Sequence, residues 1–168
     1  MSDERAVKET GVPITWLTYK AWRLGPVADE VYNPIKNVDS MQQLFETEYP
    51  ILNSIQVAKS PSHLPEGLTL KAIHAFDDSR FSDYEVGVLD AVIDEYGKFT
   101  SEQLVDILHQ EGSLWHQAVE KHQLQEQFDL KQNRSDYVLE FTKFLDTDFK
   151  KAAFEVAYQS YLMESNLL

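Results

Sequence analysis

Histidine and carboxylate side chains are where chemistry would most readily reside in this chain, because no cysteine is present to act as a nucleophile or thiolate ligand. His109 and His116 bracket Gly112, and His116 with Glu120 forms an i,i+4 pair that can face one point from a helix. His109, Glu111 and His116 are the most plausible centre for a metal-dependent or carboxylate-based enzyme. A metal needs three or four ligands converging at about 2 Å, and neither an HExxH pattern nor a sulfur ligand strengthens this set. Capping, surface and core-edge roles account for the five histidines, His63, His74, His109, His116 and His122, so no metal site is assigned.

Asp77, Asp78, Asp83 and Glu85 make an acidic run beside Arg80. Paired carboxylates perform acid and base work only when their environments differ, and Ser82 with Glu85 already has a simpler role in starting a helix. There is no phosphate-binding loop, dinucleotide fingerprint, nucleophile elbow or kinase motif. No catalytic residue and no cofactor is therefore assigned, although side chains distant in sequence can still meet in space.

The aromatic residues point instead to binding. Trp16, Trp22 and Trp115 are large side chains with one polar edge, a type common both in cores and at protein interfaces. Trp22 and Trp115 are open to either use. For a binding role the candidates are Trp22 and Tyr32 as apolar anchors, Glu111 as the partner of a basic group, His109 orienting the loop before Trp115, and Trp115 itself.

Several elements must position these residues. The first 11 residues are polar and end at Gly11, which predicts at most a short or frayed helix. Aromatic and β-branched content predicts a strand over 14–22. Gly25-Pro26 and the acidic pair Asp29-Glu30 predict a short helix over 26–32, ended near Asn33 by Pro34. Residues 41–49 are a weaker helical segment with Met41, Leu44 and Phe45 at core spacing, 50–67 reads as an irregular connection, and 68–76 alternates as a second strand able to pair antiparallel with the first.

The second half is more strongly patterned. Ser82 with Glu85 predicts a capped helix over 84–96 whose Val86, Leu89, Ile93 and Tyr96 form an apolar stripe, with Gly97 in a helix-ending conformation. Thr100 with Gln103 repeats the cap before a helix over 101–109, burying Leu104, Ile107 and Leu108, and a third short helix follows over 114–121. After a polar interval, helices are expected over 135–145 (Val138, Phe141, Phe144, Leu145) and 148–162 (Phe149, Ala152, Ala153, Val156, widened by Ala157 and Tyr161). The expected fold is mainly α: a compact multi-helix domain with a small two- or three-stranded antiparallel sheet, one domain over 1–168 with C-terminal helices at 135–165.

Two ordered blocks carry a resemblance. Ala21-Trp22-Arg23-Leu24-Gly25-Pro26-Val27-Ala28-Asp29-Glu30-Val31-Tyr32 is followed by Val88-Leu89-Asp90-Ala91-Val92-Ile93-Asp94-Glu95-Tyr96-Gly97-Lys98-Phe99-Thr100, then Leu104, Leu108-His109-Gln110-Glu111 and Trp115. With this pattern, strongest over 12–122, the chain resembles the Panacea domain family of SocA-like and GepA-like antitoxins of bacteria and phages. The resemblance implies a mainly helical domain that neutralises a cognate toxin, encoded by an adjacent gene, through direct binding; delivery of the toxin to a cytoplasmic protease is the alternative. Two departures are visible: the family's apolar N-terminal helix has no counterpart of that composition before Gly11-Val12-Pro13-Ile14, so it is either absent or its core role is supplied otherwise, and Ser113-Leu114 stands where a proline usually precedes Trp115.

Charge and composition agree with a protein partner. With 28 acidic residues against 15 basic ones the net charge is −13, which repels a phosphate backbone and an anionic membrane and favours a basic or mildly polar protein surface. The segment 98–122 could imitate a helix-turn-helix, as a DNA-binding regulator would need, yet Lys98 and Lys121 face Glu102, Asp106, Glu111 and Glu120, a net of 2 − 4 = −2. Without cysteine, a leader or a bilayer-length apolar stretch, a cytoplasmic protein is expected.

Overall fold

The computed structural model describes residues 1–37, 53–59 and 68–165. The helix expected over 41–49, His63 and the rest of the expected connection lie outside them. In chain order the elements are α1 (Ser2–Thr10), β1 (Tyr19–Trp22), β2 (Gly25–Ala28), α2 (Asp29–Lys36), β3 (Ile55–Lys59), β4 (Leu68–Ala72), α3 (Asp83–Tyr96), α4 (Ser101–Leu108), α5 (Leu114–Lys121), α6 (Gln125–Asp129), a 3-10 turn (Phe141–Phe144) and α7 (Asp148–Ser165). The fold is mainly helical, as expected, and the described residues hold two small antiparallel two-stranded sheets rather than one. Contacts divide it into two units, Met1–Pro26 with Asp78–Leu168, and Val27–Asp77.

In the smaller unit, β3 pairs antiparallel with β4 in a register that sets Ile55 opposite Ala72 and Val57 opposite Leu70. A strand therefore occupies part of what reads in sequence as an irregular connection. It also corrects the expected pairing, because the ribbon is closed locally by β3, and β1 pairs with β2. Helix α2 starts at Asp29 rather than Pro26, since Pro26 is taken into β2, and it runs through Pro34 to Lys36. The proline forfeits one intrahelical hydrogen bond, and burial of its ring offsets that loss.

The larger unit is organised by local caps. Ser82 Oγ accepts the Glu85 amide at 3.3 Å while Glu85 Oε2 accepts the Ser82 amide at 2.8 Å, and Thr100 with Gln103 does the same for α4. Ser113 Oγ accepts the His116 amide at 3.0 Å and donates to the Leu108 carbonyl at 2.7 Å. Ser113 thus ties the end of α4 to the start of α5. Helix α3 is rotated relative to expectation: Val88 is buried and Ile93 is 64% exposed. Gly97, which ends it, keeps right-handed helical angles rather than taking the left-handed terminal conformation.

The core is built from Ala21 of β1, Leu114, Trp115, Ala118 and Val119 of α5, Leu124, Phe128 and Leu139, with Tyr19, Phe141 and Phe144 packed around it. The expected helix over 135–145 is absent. Its first half instead runs along β1: Ala21 N donates to Tyr137 O at 2.8 Å, Leu139 N to Tyr19 O at 2.8 Å, Arg23 N to Asn133 O at 3.0 Å, and Lys20 bridges Val138 antiparallel. The free edge of β1 needed a partner, and satisfying those buried backbone groups outweighs a helical apolar spacing. Only residues 141–144 keep a helical turn. The interval before it is not featureless either, because α6 inserts Phe128 into the core.

The polar N-terminus forms a firm helix. Ala6 and Val7 are buried, and so is Asp3, whose Oδ1 accepts the amides of Ile14 (2.8 Å) and Thr15 (2.9 Å) and whose Oδ2 accepts the Tyr19 hydroxyl (3.1 Å) and that of Thr15. At Gly11, φ is +88° and an added Cβ would lie 2.6 Å from the Lys150 carbonyl of α7, so only glycine allows α1 to end there. Replacing Asp3 by Ala leaves two backbone donors and two hydroxyls without their acceptor. Asp3→Ala is expected to cost about 2–4 kcal/mol in urea denaturation, and a loss below about 0.5 kcal/mol would show that the carboxylate does not hold α1 in place.

Candidate functional site

A cleft of about 550 Å3 lies in the larger unit between α1, α3, the end of α4 and the loop through Gly112. Its polar wall is Glu4, Arg5, Lys8 and Glu9, all from α1; Val92, Ile107, Leu108 and Phe144 provide apolar surface, and Tyr96 and Glu111 also line it. A smaller apolar recess of about 200 Å3 shares Glu4, Leu108 and Ser113 with the cleft and reaches Leu104, Trp115 and Leu139. An opening of this size with a mixed polar and apolar lining is suited to receiving side chains of another molecule.

Most of the charges in the cleft are already engaged. Lys8 donates to Glu4 at 2.6 Å and lies 4.5 Å from the centre of the Phe144 ring. Arg5 pairs with Glu95, and its hydrogen bond holds that carboxyl below the ordinary glutamate range. Tyr84 donates to Glu9 at 2.8 Å, and partial burial together with this bond pushes the phenol up to about 12, which keeps it a donor at neutral pH. Glu111 differs: it is exposed, and no hydrogen-bond or ion-pair partner falls to it among the described residues. Gly112 beside it has φ +81°, which turns the chain between α4 and α5 and presents Glu111 to solvent.

The candidates read from sequence divide into supports and exposed groups. Trp115, 6% exposed, donates its indole N–H to the Trp22 carbonyl at 2.7 Å, and Trp22 is 7% exposed with the Arg134 guanidinium 4.6 Å from its ring centre. His109 caps the end of α4 and stacks on Trp115 with centroids 3.5 Å apart and planes 6° from parallel. Trp22, His109 and Trp115 are therefore brought together, with Glu111 two residues beyond the stack. Tyr32 belongs to the smaller unit, where it is partly exposed and Lys36 Nζ stands 5.6 Å from its ring centre.

His116 Nδ1 does meet Glu120 Oε2 at 3.4 Å, as the i,i+4 spacing implies, but among the described residues no group of three or more histidines and carboxylates could hold a metal ion. None of the described helices is long and apolar enough to cross a membrane. Sequence reasoning missed the contribution of α1 to the cleft. The signal was present in Glu4 and Lys8 at helical pair spacing with Ala6 and Val7 between them.

A family model described as "Antitoxin SocA-like, Panacea domain" matches residues 1–116. No curated protein and no solved structure matches the chain.

The His109–Trp115 stack has a pH signature. Burial lowers the imidazole pKa below its ordinary value, with Asp106 opposing weakly, and Nε2 is buried without a hydrogen-bond partner among the described residues. The folded state then binds fewer protons than the unfolded state, so this contribution is fully present above the unfolded pKa, near 6.5, and is lost as pH falls through it toward the folded value. The stability difference between wild type and His109→Gln is expected to shrink between pH 7.5 and pH 5 in parallel urea titrations. A constant difference would show that the ring titrates as if free in water.

Proposed function

Because the chain belongs to the SocA-like antitoxin family of Panacea-domain proteins, its role is that of a toxin-neutralising antitoxin, and we propose that it acts by direct binding of a protein toxin encoded by an adjacent gene. The family match over residues 1–116 carries this reading. Three features of the molecule support binding without bond chemistry. The charged groups of the cleft are paired into scaffold contacts, Glu111 is left available to a basic group, and the net charge of −13 attracts a positively charged partner.

In this reading the residues have distinct tasks. Glu111 at the cleft is a contact for a lysine or arginine of the toxin, and Tyr32 is an exposed aromatic anchor on the smaller unit. Trp22, His109 and Trp115 act from beneath by fixing the loop that presents Glu111. Apolar surface in the cleft supplies the binding area that a single ion pair does not.

Coexpression with the product of the neighbouring gene tests the role. Growth is expected to be restored, with the toxin accumulating in a complex that co-purifies with this chain; a neighbour that stays equally toxic and unbound would refute the role, and protease-dependent disappearance of the toxin would replace sequestration by delivery. Glu111→Lys reverses an exposed charge, so the unfolding midpoint should stay unchanged while the toxin is held at least tenfold more weakly, about 1.4 kcal/mol. Unaltered affinity would remove Glu111 from the interface and leave the antitoxin role standing.

A further inference from the structure

Helix α7 is apolar on two sides and covered on one. Phe154, Tyr158 and Tyr161 gather around Trp16, with ring centroids 5.5, 5.7 and 5.3 Å from it. Elsewhere on the helix Phe149, Val156 and Met163 are 74%, 69% and 65% exposed. These three residues recur every seventh position, which keeps them within about 20° of one line per interval and lays them along roughly 21 Å of helix. Ala152 is exposed between the first two. Such a stripe is the seam that one helix offers another, and leaving it in water is unfavourable.

The charges beside the stripe indicate what covers it. Asp148, Glu155 and Glu164 are the charges nearest the stripe, while Lys150 and Lys151 lie farther round the helix and pair with Asp146 and Asp148, on a chain whose net charge is −13. A second copy is a poor match. Antiparallel self-pairing centred on Val156 sets Phe149 against Met163 but also Asp148 against Glu164 at both ends, and parallel pairing sets Glu155 against its own counterpart. A basic partner meets the same residues with opposite charge.

We infer that the Phe149–Val156–Met163 stripe of α7 is a docking seam for an amphipathic helix of the toxin whose apolar face is flanked by lysine or arginine. The inference rests on the antitoxin reading and adds a second surface to it. Helix α7 lies beyond the residues that the family model matches.

Three proteins test it: wild type, Val156→Asp, and the double variant Phe149→Ala/Met163→Ala, each compared for unfolding midpoint, mass in solution by light scattering, and affinity for the purified toxin. Because these side chains are exposed, midpoints should agree within about 2 °C, an order-of-magnitude allowance for surface changes. Val156→Asp should weaken the toxin complex at least tenfold, and the double variant, which adds no charge and keeps the helix former alanine, should also weaken it. If wild type binds the toxin and both variants bind it equally well, the seam is refuted while the antitoxin role survives. If wild type is a dimer that Val156→Asp converts to monomer with toxin affinity unchanged, a second copy covers the stripe and the inference is overturned. Failure of wild type itself to bind would instead remove the antitoxin role.

Discussion

Taking a carboxylate out of water is costly unless its oxygens find donors, and at Asp3 they find four. This one side chain joins α1 to the turn at Ile14 and Thr15 and to Tyr19 at the start of β1. Once α1 is held there, Arg5 is in reach of Glu95 on α3, Lys8 covers Phe144, and Gly11 brings the end of the helix against Lys150. The polar side of the cleft and the support for α7 both follow from that placement. A helix of nine residues has little stability alone, so its order comes from what it is tied to.

The division between buried and exposed aromatics has a similar physical origin. Trp115 can be buried deeply because its one polar atom is satisfied by the Trp22 carbonyl. His109 covers the Trp115 ring by stacking, and burial holds its imidazole pKa below the ordinary value. The loop they support carries Glu111, which has no hydrogen-bond or ion-pair partner among the described residues. A rigid underside beneath an exposed charged group suits the proposed binding of a basic partner.

Local signals were readable in the sequence and partner choice was not. The capped helices α3, α4 and α5 appear close to where Ser82, Thr100 and the Glu111-Gly112-Ser113 break place them, because a cap satisfies backbone groups within one turn. Residues 135–145 have helical spacing, yet the exposed edge of β1, over a hundred positions earlier, takes up part of them. Periodicity records that a residue is apolar, not which neighbour arrives; Phe149 and Val156 read as core and stand exposed for that reason. Asp3, in a polar N-terminal segment, gave no sign of its burial, since its donors come from residues 14–19. Of the site, Glu111 and the His109–Trp115 association were legible as a cluster around Gly112, whereas the wall supplied by α1 depended on the tertiary tether.

The core has a bearing on what was inherited and what folds. Similarity to the family ends at residue 116, inside α5, whereas the packed cluster around Trp115 also contains Ala118, Val119, Leu124, Phe128 and Leu139. The stretch recognisable by descent therefore stops partway through a cooperative unit. Whatever sequence follows residue 116 has to return an apolar filling to that cluster and an edge for β1.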